Sequence, residues 1–154
     1  MVEFLVKLAG NSTFMATILA WAIAQSIKVV VGAVMERRFN FRWFVGTGGM
    51  PSSHSAGAAA LATSVAIIDG AGSMLFAVAL VFAFVAMFDA QSARRAIGRQ
   101  AEVLNKITAD LHFKKGVKQE RLRELIGHTP IEVLAGAAIG IIVALIYHMI
   151  AGAK

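Results

Sequence analysis

The chain has 154 residues, 58% of them hydrophobic, with no cysteine and a mean hydropathy of +0.71. That composition is too apolar for an ordinary soluble domain, and the missing cysteines exclude a disulfide framework and thiolate chemistry. The net charge of +6 invites a nucleic-acid reading. The basic residues, however, flank apolar runs, where they set membrane orientation or meet anionic lipid and phosphate, so no nucleic-acid partner is expected.

Glu3–Leu8 reads as a short interfacial helix. With Glu3 and Lys7 it lacks the ordered basic, apolar and small-residue regions of a cleavable signal. The first apolar run, Phe14–Val34, can be capped by Asn11, Ser12 or Thr13, and it carries Gln25 and Lys28. An ionised lysine facing mid-bilayer lipid costs roughly 2.5–3.5 kcal/mol. Lys28 should therefore snorkel or face the bundle interior, and Gln25 three residues away on the same face favours the interior. A basic connection follows with Arg37, Arg38 and Arg42, then glycines at 46, 48 and 49.

Next comes GGMPSSHSAG, residues 48–57, ahead of a second apolar run, Ser55–Ile68. A bilayer core needs about 17–25 helical residues. The second run is short by that measure unless Pro51–His54 also lies at membrane depth, inside protein rather than against lipid. Asp69–Gly72 is a tight turn. The third run, Ala71–Phe88, should continue as a helix out of the membrane. Ala93, Ile97, Ala101 and Leu104 recur there at helical spacing, with Arg94, Arg95, Arg99 and Glu102 on other faces. His112–Gly116 reads as a break and Glu120–Ile126 as a short amphipathic helix. Thr129 opens the last run, Ile131–Ile150, where Gly136 and Gly140 make a small-residue stripe for packing. His112 and His148 look incidental.

The expected fold is all-α: one integral membrane bundle over 1–154, of about four spans near 14–34, 52–68, 71–88 and 130–150, with a basic cytoplasmic helix/loop segment. Four spans place 35–50 and 89–128 on one side. That side holds twelve of the fifteen Lys and Arg residues, so the positive-inside bias puts it in the cytoplasm of a cell-membrane protein.

Three constellations on that side carry chemistry. In Met50-Pro51-Ser52-Ser53-His54, proline suits a first helical turn and serine its cap, and the N–H groups of such a start form an anion site beside His54. The alternative is a well-capped helix with an incidental histidine. In Gly127-His128-Thr129-Pro130-Ile131-Glu132, Glu132 can reach a ring nitrogen of His128 and fix its tautomer. Thr129 to Glu132 is equally a capping box, which would make Glu132 structural. Arg94 and Arg95, just past the third run, can fork onto phosphate or can simply be a solvated topology signal.

The order of these elements resembles the type 2 phosphatidic-acid phosphatase superfamily, and most of all its small divergent membrane branch. The likeness is strongest in Gly48–Gly57, Asp89–Asn105 and Glu124–Gly136. It implies a cofactor-free, metal-independent phosphatase with two histidines and a phosphohistidine intermediate. By this resemblance His128 is the nucleophile, His54 donates a proton to the leaving oxygen, and Glu132 stands where an aspartate usually orients the nucleophile. Ser52 and Ser53 match the phosphate-binding backbone. Two elements of the pattern are missing. Lys28 has no arginine seven residues on, and Leu122 occupies the arginine position six residues before His128. The phosphate clamp is therefore assigned to Lys28, Arg94 and Arg95, with Arg42 in reserve.

The expected activity is hydrolysis of a lipid phosphate monoester, phosphatidylglycerol phosphate or phosphatidate, or of a polyprenyl diphosphate. The partners are that substrate and membrane lipids, with a homo-oligomer left open. Two alternatives remain. One is a lipid-phosphate-binding or translocating protein without turnover. The other is a metal-dependent hydrolase using Asp89, Glu132, His54 and His128, although no compact ligand spacing supports it.

Overall fold

A computed structural model describes residues 1–37, 49–115 and 128–152; the side chains of 36, 93–99, 101, 106 and 108–115 lie outside that description. The described residues form five helices: α1 (Val2–Ala9), α2 (Ser12–Glu36), α3 (Ser53–Ile68), α4 (Met74–Lys115) and α5 (Pro130–Ala151). Three of them contain segments long and apolar enough to cross a membrane: Ser12–Met35, Met74–Ser92 and Pro130–Ala151. The protein is an all-α membrane bundle.

Local signals set the helix starts. The Asn11 side chain accepts from the Phe14 amide at 2.9 Å and caps α2. Ser73 caps α4 by accepting from the Phe76 amide at 3.1 Å, so this helix begins three residues later than Ala71. α4 then runs unbroken to Lys115, against the break expected at His112–Gly116. From Arg99 to Lys115 the sequence holds neither glycine nor proline, so nothing interrupts the helical ladder before Gly116. Glu120–Ile126 lies outside the described residues. α1 carries a Glu3–Lys7 ion pair at 2.8 Å on one side and exposes Phe4, Leu5 and Val6.

The short apolar helix α3 is the innermost. Ten of the sixteen residues of α3 are buried, among them a run from Ser55 to Ala60. α2, α4 and α5 surround this helix, which is apolar but shorter than the three segments long enough to cross a membrane. α3 and α5 run parallel and extremely close. A Cβ on Gly136 would overlap the Ser52 carbonyl oxygen, and one on Gly140 the Ala56 carbonyl oxygen. One further turn along, Ala60 and Ala144 join Ala20 of α2 in a fully buried cluster. α2 is antiparallel to this pair and brings Ala16, Ala20, Ala24 and Lys28, four apart, along the same seam. α4 packs Ala79 and Ala83 on the opposite face of α3, against Ala58, Ala62 and Val65.

The Ser52 amide donates to the Glu132 carbonyl at 3.1 Å. α3 therefore starts roughly 5 Å, three residues of rise, inside the Thr129 end of α5. Of the expected buried stretch Pro51–His54, Pro51, Ser52 and Ser53 are buried there in protein and His54 is exposed.

The seam makes a sharp prediction. Gly140→Val forces either a helix shift or a clash with backbone and should cost about 1–3 kcal/mol, as overpacking does. Gly72→Ala, with nothing within 4 Å of the new Cβ, should leave the melting temperature of the detergent-solubilised protein unchanged.

Candidate functional site

The parallel run of α3 and α5 brings both helix N-termini to one end of the bundle, so the positive ends of two helix dipoles converge there. Both starts are strongly capped. Ser52 accepts from the Ser55 amide at 3.4 Å and from the Ser55 hydroxyl at 3.0 Å. Thr129 accepts from the Glu132 amide at 3.4 Å, and Glu132 Oε2 accepts from the Thr129 amide at 3.1 Å, completing a capping box.

The same carboxylate oxygen meets His128. Nδ1 of His128 lies 2.8 Å from Glu132 Oε2, with the imidazole 1% exposed and the carboxylate side chain 20% exposed. Capping and orienting, which read as alternatives in the sequence, occur together on one oxygen. A carboxylate at Nδ1 holds the proton on that nitrogen and leaves the lone pair on Nε2, the arrangement a nucleophilic imidazole needs. The His128 amide donates to the Ala90 carbonyl at 3.3 Å, which ties the residue to α4 as well.

Lys28 is buried, 7% exposed, and faces the interior. Its Nζ donates to Gln25 Oε1 at 3.2 Å and to the Ser53 hydroxyl at 3.3 Å. This links α2 to the first turn of α3 with a cation directly beside the helix start. Gly49 (φ 85) lies against the Lys28 stem, where its Cβ would stand 3.6 Å from Cγ, and the positive φ suits glycine. His54, next in sequence to Ser53, is exposed.

The structure thus brings together Lys28, Gln25 and Ser53 in one group and His128, Glu132 and Thr129 in another, joined by the Ser52–Glu132 backbone bond. Ser52 itself is fully buried and committed: its amide serves Glu132 and its hydroxyl serves Ser55. Arg94 and Arg95 follow Ala90 on α4 by four and five residues, and their side chains are outside the described residues, as is Arg42 entirely. Asp89 is exposed, and among the described residues no three His, Asp or Glu side chains gather as metal ligands. Sequence reasoning did not anticipate the Ala90 carbonyl or the Ser55 hydroxyl. Only Ser55, three residues after a capping serine, carried a readable signal.

The family model described as "Divergent PAP2 family" matches residues 9–143. The uncharacterized membrane protein YuiD of Bacillus subtilis (strain 168) is 41% identical over 151 residues, covering 91% of this chain and 96% of the relative. No solved structure matches.

The double use of Glu132 separates two variants. Thr129→Ala removes the cap and should cost about 1 kcal/mol of stability while the His128–Glu132 contact persists. Glu132→Gln retains a capping oxygen but no longer carries the negative charge. The 15N shifts of the His128 ring, which report its tautomer, should change in Glu132→Gln and stay as in the parent in Thr129→Ala.

Proposed function

The chain belongs to the divergent PAP2 family, and from that premise we propose that it is a membrane phosphatase acting on a lipid phosphate through a phosphohistidine. The observation that carries the proposal is the 2.8 Å contact between His128 Nδ1 and Glu132 in a buried setting. Nε2 of His128 attacks phosphorus; an N–P bond forms as the P–O bond to the leaving group breaks (ester in a monoester, anhydride in a diphosphate), and His54 gives its proton to the departing oxygen. Water then attacks the phosphohistidine, His54 takes a proton from that water, and phosphate leaves with His128 restored. Lys28, held by Gln25 and Ser53, supplies positive charge to the equatorial oxygens together with the first turn of α3. Arg94 and Arg95, and Arg42 in reserve, complete the clamp. Beyond the nucleophile and the proton donor, phosphoryl transfer asks for charge neutralisation and in-line placement.

The substrate proposed is phosphatidylglycerol phosphate or phosphatidate, with a polyprenyl diphosphate as the third choice. Purified protein should release phosphate from at least one of these in the presence of chelator and be inhibited by vanadate. His128→Ala should abolish turnover and any acid-labile phosphoprotein, whereas His54→Ala should slow formation of that adduct most with poor leaving groups. Chelator-sensitive activity restored by a divalent ion would instead favour the metal-dependent reading.

One observation favours a second reading. Lys28 has no arginine seven residues on and Leu122 stands six residues before His128, which suits a pocket that binds a lipid phosphate, or passes it across the membrane, without turnover. Tight headgroup binding with no phosphate release, undiminished in His128→Ala, would establish it.

The site side is proposed to face the cytoplasm, on the charge bias of 35–50 and 89–128. Single cysteines at Asn40 and Lys118 should resist an impermeant thiol reagent applied to intact cells. Labelling of both from outside would invert the orientation and make a polyprenyl diphosphate the better substrate.

A further inference from the structure

The opposite end of the bundle holds polar groups that the proposed chemistry does not use. Ser64 is fully buried and His148 is 5% exposed. The Ser64 hydroxyl and both ring nitrogens of His148 have no hydrogen-bond partner among the described residues. The seam sets them level with each other. Gly136 lies on Ser52, Gly140 on Ala56, and Ala144 clusters with Ala60. Carried one step of four further along both parallel helices, the same register sets His148 opposite Ser64. Ala16, buried four residues before Ala20 on antiparallel α2, belongs to the same layer and offers only a methyl group.

Buried polar atoms without partners cost about 1–3 kcal/mol each, and an ionisable residue within a span marks a functional site by default. A direct Ser64–His148 bond would not satisfy the set. A neutral imidazole has one donor and one acceptor nitrogen, and a single hydroxyl bonds only one of them well. What completes it is a group that both donates and accepts, small enough for a seam of alanines. Both residues stand about one helical turn from their helix ends, Ile68 and Ala151, at the depth where water and headgroup hydroxyls are present. The carboxylates of that end do not compete: Asp69 and Glu3 are both exposed.

We propose that Ser64 and His148 form a second ligand site, on the membrane face opposite Lys28 and His128, which binds a hydroxyl group between α3 and α5. The hydroxyl is that of a water molecule or of a polyol lipid headgroup in that leaflet. The site is independent of the phosphatase reading, since neither residue takes part in it.

The test uses full-length protein, 15N-labelled at histidine, in nanodiscs of phosphatidylcholine and, separately, of phosphatidylglycerol. The His148 signals are assigned by their loss in His148→Gln. The proposal expects a magnetisation-transfer cross-peak from the His148 ring to water in both bilayers, or to glycerol headgroup protons in phosphatidylglycerol alone. The first pattern identifies water as the ligand and the second identifies the lipid. Ser64→Ala should abolish the cross-peak while leaving the His128 ring signals in place. A His148 ring with no cross-peak to water or headgroup in either bilayer overturns the proposal. So does a cross-peak that Ser64→Ala leaves at full intensity. Thermal melting of His148→Leu reads the same question without spectroscopy. A rise in melting temperature means that nothing occupied the niche and overturns the proposal, and a fall supports a bound hydroxyl.

Discussion

The close approach of α3 to α5 is the constraint on which the other features rest. Two helices cannot bring carbonyl oxygens this near to a facing helix axis unless the facing positions have no side chain, and Gly136 and Gly140 meet that condition. Once the seam is closed, its register has no freedom. It brings the Ser52 amide to the Glu132 carbonyl, aligns the two helix starts, and decides which residues of α3 look into the bundle. Lys28 then arrives at the first turn of α3 because α2 repeats the same four-residue step from Ala16 to Lys28. A site made of residues more than one hundred positions apart is thereby fixed by the absence of two side chains.

Glu132 shows how local and long-range demands are met by one group. Its Oε2 closes the α5 capping box and contacts His128 Nδ1. Each role limits the motion available to the other: a carboxylate pinned by the Thr129 amide cannot rotate away from the imidazole. Orientation of the histidine is thus tied to formation of the first turn of the last span. Loss of the turn and loss of the tautomer become the same event.

Much of this was legible in the sequence, for reasons that differ by element. Gln25 and Lys28, three apart in an apolar run, pointed Lys28 to the interior because lipid offers it no partner, and there it donates to both Gln25 and Ser53. The glycine stripe was readable from its spacing, yet its partner was not, since nothing in Gly136 or Gly140 names Ser52 or Ala56. Capping at Asn11, Ser52 and Thr129 is short-range and could be read directly. The two readings of Glu132 proved geometrically compatible, since one oxygen makes both contacts. The break expected at His112–Gly116 does not occur up to Lys115, because the stretch holds no glycine or proline before Gly116. His148 gave no signal of its burial in the sequence, and only the register of the seam relates it to Ser64, eighty-four positions earlier. The basic residues expected to complete the phosphate clamp fall where the described side chains end.

The span of α4 covers Met74–Ser92, nineteen residues, or roughly 28 Å of helix against a hydrocarbon thickness of about 30 Å. Ala90, which holds the His128 amide, lies two residues from the end of that span. Since most of this segment faces outward, with 11% of it buried, hydrophobic matching of α4 to the lipid sets the height of that bond. A thicker bilayer draws the His128 attachment beneath the hydrocarbon boundary, and a thinner one lifts it toward water, at fractions of a kcal/mol per ångström of mismatch. The membrane's own thickness is thereby a coordinate of the site.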